Sequence, residues 1–251
     1  MPSVAGQGPA DGSPSNQASL DEAQQRFFET IADVPVSPGL VSRDVTFSGH
    51  IFDVVREKFE MDGVDRVISR DFIHHPGAVS VVAMDQDSRV LVQRQRRQPV
   101  RSELWEIPAG LLDVGGESAL DAAARELYEE ADYTAARWDV LIDQYNSPGS
   151  SDEAMRIFLA RELTPVPESQ RFERTEEEAG LQPVWLPLED AVDAVLAGRF
   201  TNPTAITGIL ALATTVASRF THLRPVDAPW PARPAAQSPA GTTQPRPIDF
   251  A

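Results

Sequence analysis

The sequence predicts an α+β fold, with a mixed core over residues 76–220 and a small antiparallel β element within 21–75. Strongly apolar segments of strand length follow Gly77, and they are typical of strands buried on both faces. Residues 118–131 instead repeat Ala and Leu at helical spacing, with Ser118 in the N-cap position. The chain of 251 residues, 41% of them hydrophobic, is long enough to bury a substantial core.

The other elements are predicted from the same patterns, in order from the N-terminus. A short amphipathic helix is expected over 21–32, and turn residues such as Asp62 and Gly63 separate the segments of the small sheet. The predicted strands are 41–48, 51–61, 66–74, 78–84, 90–94, 138–144, 154–160 and 183–187. Helices are predicted over 118–131, 188–196 and 204–218.

Both ends of the chain are predicted to be disordered tails. Residues 1–20 are rich in Gly, Pro, Ser and Gln, and residues 221–251 contain seven prolines. The first residues lack the basic and apolar regions of a secretory signal, and the apolar run 205–217 is shorter than the ~18 residues that span a bilayer. We therefore expect a cytoplasmic protein that does not enter a membrane.

Charge and residue usage exclude several classes of chemistry. The 22 Lys and Arg against 38 Asp and Glu give a formal charge of −16, which repels nucleic acids and suits a protein that holds divalent cations. With no cysteine there is no thiol nucleophile and no cysteine-ligated metal. Lys58 is the single lysine and lies outside any Gly-rich loop, so a P-loop is excluded.

A cluster of carboxylates marks the predicted helix 118–131. Glu126, Glu129 and Glu130 project from roughly one face, where only Arg125 offsets their repulsion. A bound cation would relieve that repulsion, and oxygen ligands suit Mg²⁺ or Mn²⁺. The alternative is a solvated acidic face, which is common on a protein of this charge.

The full motif favours the metal site. Gly110 leads through a loop to Glu117, and after seven further residues the sequence reads Arg-Glu-Leu-Tyr-Glu-Glu over 125–130. This pattern resembles the signature of the Nudix hydrolases. It departs from the signature in two respects: Gly110 lies one residue too far from Glu117, and Asp132 and Tyr133 stand where the signature has Gly and an aliphatic residue. Asp tolerates the left-handed conformation that ends a helix better than most residues do.

The resemblance implies an α/β/α sandwich around a mixed sheet. It also implies that Glu126, Glu130 and the backbone carbonyl of Ala109 bind Mg²⁺, with Mn²⁺ as a possible substitute, and that Glu129 assists catalysis. Arg125 is expected to pair with Glu117 in a structural role.

Segments outside the motif resemble one subgroup, the ADP-ribose pyrophosphatases. The run Gln-Arg-Arg over 95–97 followed by Leu-Trp-Glu-Ile-Pro-Ala-Gly over 104–110 is similar to a stretch of that subgroup, as is Pro148 at fifteen residues after Tyr133. The similarity implies that Arg97 binds phosphate and that Glu106 lies near the adenine or the metal. The alternative is that these two side chains pair only with each other.

The subgroup also implies a general base in a late loop and a dimer. The acidic run within 173–180 precedes Trp185, and Glu177 is the first candidate for the base, with Glu178 the second. The β element at about 40–75 corresponds to the part that builds a homodimer, and small isolated sheets are marginally stable alone.

The expected function is Mg²⁺-dependent hydrolysis of ADP-ribose to AMP and ribose 5-phosphate. One alternative uses the same carboxylates on another nucleoside diphosphate derivative, such as a nucleotide sugar or a dinucleotide. A second alternative is a Nudix-fold ligand sensor that does not hydrolyse its ligand. In each case the partners are a small nucleotide and a second copy of the chain, with no nucleic acid or membrane.

Overall fold

The computed structural model describes residues 24, 26–27, 30–36, 39–175 and 179–233. The strands in these ranges are β1 Leu40–Ser48, β2 Asp53–Phe59, β3 Ile68–His74, β4 Ala78–Ala83, β5 Arg89–Arg97, β6 Ser102–Glu106, β7 Ala109–Leu111, β8 Tyr133–Tyr145, β9 Ala154–Pro165 and β10 Val184–Pro187. The helices longer than one turn with named bounds are α1 Ala119–Ala131, α2 Leu188–Leu196 and α3 Pro203–Ala217. None of the helices within these ranges is long and apolar enough to cross a membrane.

The N-terminal part forms the predicted antiparallel sheet. Its strand order is β1-β2-β3, with Val45 opposite Val55 and Val55 opposite Phe72. Val55 is fully buried, whereas the apolar side chains of β1, Leu40, Val41, Val45 and Phe47, are exposed. The predicted helix over 21–32 falls largely outside the described residues, although positions 24, 26, 27 and 30 are helical.

The core is a mixed sheet between two helical layers. Its order is β7-β4-β9-β8, where β4 and β9 are parallel and the other pairs are antiparallel. Because side chains alternate across a strand, Val79 and Val81 of β4 pack beneath α1, whereas Val82 packs toward Ile209 of α3. A three-stranded sheet, β10-β5-β6, adjoins this core. The predicted α+β sandwich is confirmed.

Several strands differ from the prediction. β6 and β7 lie in 102–111, where Pro108 and the charged side chains obscure any two-residue alternation, and they become strands by pairing with β5 and β4. β8 and β9 are longer than predicted because their polar ends pair with each other, from Tyr133 opposite Pro165 onwards. Sequence periodicity does not detect strands whose partners, rather than their own burial, hold them in place.

The expected disordered tail does not begin at residue 221. Trp230 is buried, and the Arg156 guanidinium lies 4.8 Å from its ring centroid. Arg156 also donates to the carbonyls of Ala228 and Pro229 at 3.0 and 3.1 Å. Proline content reports a lack of regular secondary structure and not a lack of packing, which is why the sequence was misleading here. Residues 1–20 and 234–251, the rest of the predicted tails, lie outside the described residues.

Candidate functional site

The helix α1 is held by its caps and by its apolar face. The Ser118 hydroxyl accepts a hydrogen bond from the Asp121 amide, as predicted for the N-cap. Asp132 ends the helix in the left-handed conformation, with φ 59° and ψ 38°. Leu127 and Ala131 are buried against the sheet. The adjoining face of the helix carries Glu126 and Glu130 toward β7 and β5.

Glu126 lies directly against Gly110, at the middle of β7. A Cβ atom built on Gly110 meets Oε1 of Glu126 at 1.8 Å, so the carboxylate occupies the space that any other residue would fill. The Glu126 side chain is only 9% exposed. The glycine of the motif is thus required by the close approach of this carboxylate to the strand.

Glu130 is buried one turn further along the same helix face. Its Oε2 accepts hydrogen bonds from Nε2 of Gln93 at 2.7 Å and from the backbone amide of Ala109 at 3.0 Å. Both donors are neutral. The predicted metal ligands Glu126, Glu130 and Ala109 therefore come together where α1 meets β7.

Arg125 is the cation at the centre of the remaining carboxylates. It donates two hydrogen bonds to Glu117, at 3.0 and 3.2 Å, and one each to Glu126 at 2.6 Å and Glu129 at 3.0 Å. Burial lowers the pKa of Arg125. The hydrogen bond to Glu117 and the charges of the three carboxylates together raise it by more than burial lowers it, so the pKa lies above its ordinary value. The expected pairing of Arg125 with Glu117 is present, and the guanidinium remains charged at any working pH.

The donor chemistry fits a hard divalent cation. Within the described ranges no three acidic or histidine side chains already converge as a preformed metal site, because Arg125 draws Glu117, Glu126 and Glu129 toward itself. Two buried carboxylates nevertheless lie against the backbone of β7, Glu130 at Ala109 and Glu126 in the cradle at Gly110. Oxygen-only donors of this kind suit Mg²⁺ or Mn²⁺.

Arg97 and Glu106 form a two-point ion pair across β5 and β6. Nε and Nη2 of Arg97 donate to the two carboxylate oxygens at 2.9 and 2.7 Å. The Glu106 side chain is 4% exposed, whereas that of Arg97 is 40% exposed. This is the pairing that the sequence left open as an alternative.

Gln93, the strand neighbour of Glu106, contacts the helix through Glu130, and sequence reasoning missed it. It lies directly opposite Glu106 in the antiparallel register, so both side chains point to the same face of the sheet. It is fully buried and directly follows the apolar residues 90–92 of β5. A polar residue at an inward position of such a strand is the signal that could have identified it.

The late loop is attached to the end of α1, although the two candidate bases lie outside the described residues. Glu177 and Glu178 fall within 176–178, of which no structure is given. Just before them, Nε of Arg174 donates to the carbonyl of Glu129 at 2.7 Å. Nη2 of the same side chain lies 2.7 Å from Oδ2 of Asp132.

The comparison with known families agrees with the motif. The model of the NUDIX domain matches residues 74–205, which is more than half of the chain. The chain belongs to the Nudix family. The Nudix match begins at the end of β3 and closes within α3, so it contains both the carboxylate helix and the Arg97–Glu106 pair. Nudix hydrolases generally use a divalent metal.

The Nudix relatives are similar over most of their length. An ADP-ribose pyrophosphatase of Mycobacterium tuberculosis is 40% identical over 196 residues, which cover 78% of this chain and 92% of that protein. An ADP-ribose pyrophosphatase of Bacillus subtilis is 34% identical over 155 residues, which cover 62% of this chain and 81% of that protein. A solved structure described as an ADP compounds hydrolase superposes with a TM-score of 0.60 at 20% identity, covering 75% of this chain and 98% of its own, and shows the same fold.

Proposed function

We propose that this Nudix enzyme hydrolyses the diphosphate of ADP-ribose to AMP and ribose 5-phosphate and depends on Mg²⁺. The observation that carries the proposal is the pair of buried carboxylates, Glu126 and Glu130, set against the backbone of β7. The similarity to two proteins named ADP-ribose pyrophosphatase supports the choice of substrate.

Three groups would hold the metal: the carboxylates of Glu126 and Glu130 and the backbone carbonyl of Ala109. Mn²⁺ is the expected substitute, because it accepts the same oxygen ligands. When bound, the ion neutralises the charge of the diphosphate and makes a water molecule more acidic.

The other polar residues orient the site. The hydrogen bond from Gln93 fixes the direction of the Glu130 carboxylate, and Arg125 holds Glu129 close to the metal ligands. Arg97, whose guanidinium is anchored by Glu106 and whose side chain is partly exposed, binds a phosphate of the substrate. Glu106 thereby contributes to substrate binding indirectly, by holding the guanidinium of Arg97 in place.

A carboxylate of the late loop acts as the general base. Glu177 is the first candidate and Glu178 the second, since both follow Arg174, which is attached to the helix of metal ligands. The base accepts the proton of the attacking water, and that water forms the new bond to phosphorus while the bridging oxygen leaves with the other phosphate. Glu129, next to the metal ligands on α1, assists catalysis.

The chain forms a homodimer with a second copy of itself, and the dimer works in the cytoplasm. The β1–β3 sheet exposes several large apolar side chains, including Val45, Phe47 and Ile51, and a surface of this kind is typical of a covered interface. Light scattering at micromolar concentration should give twice the 27.4 kDa of the chain. A monomer at that concentration would contradict the dimer and leave the chemistry untouched.

A substrate panel tests the function. The purified protein is incubated with ADP-ribose, a nucleotide sugar, NADH, diadenosine polyphosphates and dGTP, with and without Mg²⁺, and the products are identified by chromatography. We expect AMP and ribose 5-phosphate from ADP-ribose, formed faster than any other product and only with Mg²⁺.

Two variants make the panel decisive. Glu130→Gln should abolish turnover because it removes one charge from the metal ligands, whereas Glu60→Gln, a matched change at an exposed position, should keep it. Faster turnover of another nucleoside diphosphate derivative would show that ADP-ribose is not the preferred substrate, while the proposed hydrolysis of a diphosphate would stand. Tight binding of ADP-ribose with no metal-dependent turnover of any compound would instead make the protein a sensor.

A further inference from the structure

Asp132 occupies a position where the Nudix signature has glycine. Its backbone is left-handed, with φ 59°, a conformation that glycine adopts without the steric cost that a Cβ atom brings. A side chain retained in such a conformation indicates a use for that side chain. The question is what the carboxylate of Asp132 holds.

The carboxylate holds Arg174, which comes from the late loop. Nη2 of Arg174 lies 2.7 Å from Oδ2 of Asp132, and the two side chains are only 15% and 16% exposed. Through Nε, the same guanidinium donates to the carbonyl of Glu129 at 2.7 Å. A cation at the C-terminal end of a helix is also favoured by the helix dipole. Arg174 therefore caps the turn that carries Glu129 and Glu130.

Two further contacts attach the same stretch of chain to the same turn. The backbone amide of Val166, just after β9, donates to the carbonyl of Asp132 at 2.9 Å. The phenol of Tyr128 donates to the carbonyl of Gln170. Residues 166–174 are thus joined to residues 128–132 at several points, and the Arg174–Asp132 pair is the last of them before the acidic run.

We propose that Asp132 and Arg174 are positioning residues for hydrolysis. Their ion pair fixes residue 174 against the last turn of α1, and through the Glu129 carbonyl it fixes the turn that carries the carboxylates of Glu129 and Glu130. The inference rests on the proposed function, since it assumes that these carboxylates serve the reaction. It gives a reason for aspartate at this position: glycine would end the helix with less strain but would release the loop.

Four variants separate positioning from helix capping. Asp132→Asn keeps the shape and the tolerance of a left-handed backbone but removes the charge, and Asp132→Gly restores the residue of the signature. Both should lower kcat for ADP-ribose about tenfold, since small misplacements of catalytic groups are costly, while KM stays within about twofold. Arg174→Ala should have the same effect, and Arg174→Lys should recover part of kcat because the charge remains.

Stability and additivity complete the test. Asp132→Gly relieves the cost of a positive φ but leaves the Arg174 guanidinium without its carboxylate, so the Tm should change little while kcat falls. A purely capping residue would leave kcat at the wild-type value. Asp132→Asn combined with Arg174→Ala should be no slower than Arg174→Ala alone, because the pair acts as one unit. Wild-type kcat in Asp132→Gly, or additive losses in the double variant, would overturn the proposal.

Hydrogen exchange keeps the inference separate from the proposed function. In the metal-free protein the amides of 166–175 should exchange faster in Asp132→Asn than in the wild type, whereas amides of the distant β1–β3 sheet should not change. If the wild type does not turn over ADP-ribose, the proposed function fails, and the exchange result still decides whether the pair holds the loop. Unchanged exchange in Asp132→Asn would overturn the claim that the Arg174–Asp132 pair holds the loop.

Discussion

Replacing Gly110 by alanine is a direct test of the geometry around Glu126. The new Cβ would lie 1.8 Å from Oε1 of Glu126, and ordinary contact begins at 3.4 Å, so the carboxylate must retreat by 3.4 − 1.8 = 1.6 Å. The backbone of Gly110 is a strand without a positive φ, so alanine itself fits. The side chain of Glu126 must therefore be what moves.

The expected effect on stability is small and the effect on rate is large. Exchanging glycine for alanine contributes about 0.4–1 kcal/mol by restricting the unfolded chain. Weakening the 2.6 Å hydrogen bond between Arg125 and Glu126 costs about 1.5–3 kcal/mol. The net loss in the free energy of unfolding is thus about 0.5–2.6 kcal/mol, whereas displacing a proposed metal ligand by more than 1 Å should lower kcat on the order of 100-fold.

Two assays on the same preparations check this expectation. AMP formation from ADP-ribose gives kcat, and urea denaturation gives the free energy of unfolding. Gly115→Ala is the matched control, because Gly115 lies in the loop that follows β7 and no atom lies within 4 Å of the added Cβ. Wild-type kcat in Gly110→Ala would refute the placement of Glu126 at the reaction centre. A loss of activity in Gly115→Ala as well would refute the explanation by close contact.

Three further predictions concern stability and substrate binding. Trp230→Ala should lower the free energy of unfolding by about 3–5 kcal/mol, because a buried ring next to Arg156 is lost; a change below 1 kcal/mol in urea denaturation would show that 221–233 do not stabilise the domain. Asn202→Ala should cost about 1 kcal/mol by removing the N-cap of α3, where the Asn202 side chain accepts from Ala205, and an unchanged urea midpoint would contradict that role. Arg97→Ala should raise KM for ADP-ribose about tenfold and destabilise the fold by about 1–3 kcal/mol, since Glu106 stays buried without its bidentate partner; wild-type KM would confine Arg97 to a structural role.

The candidate site was predictable where its residues lie close together in sequence. The spacing of Glu126, Glu129 and Glu130 places them on one helix whatever the rest of the chain does. The same local logic predicted Ser118 as N-cap and a left-handed Asp132, and both are present. The apolar strands near β4 were predicted because burial on both faces leaves a continuous apolar pattern.

The partners of these residues were not predictable. Gln93 meets Glu130, 37 residues apart, through the pairing of sheet and helix, and Arg174 meets Asp132 only because β8 and β9 return the chain to the end of α1. Residues 221–233 likewise pack on the core through the side chain of Arg156, which pairs with Asp143 on the neighbouring strand. No pattern of local spacing encodes such contacts.

The sequence by itself thus determined which carboxylates share one face of α1, and with them the chemistry that the chain can carry. It could do so because helical and strand periodicity are set by neighbouring residues. Tertiary structure alone decided which donors orient each carboxylate, that Arg97 is held by Glu106, and that the late loop is tied to α1. These outcomes depend on strand register and layer packing, in which residues far apart in the chain become neighbours.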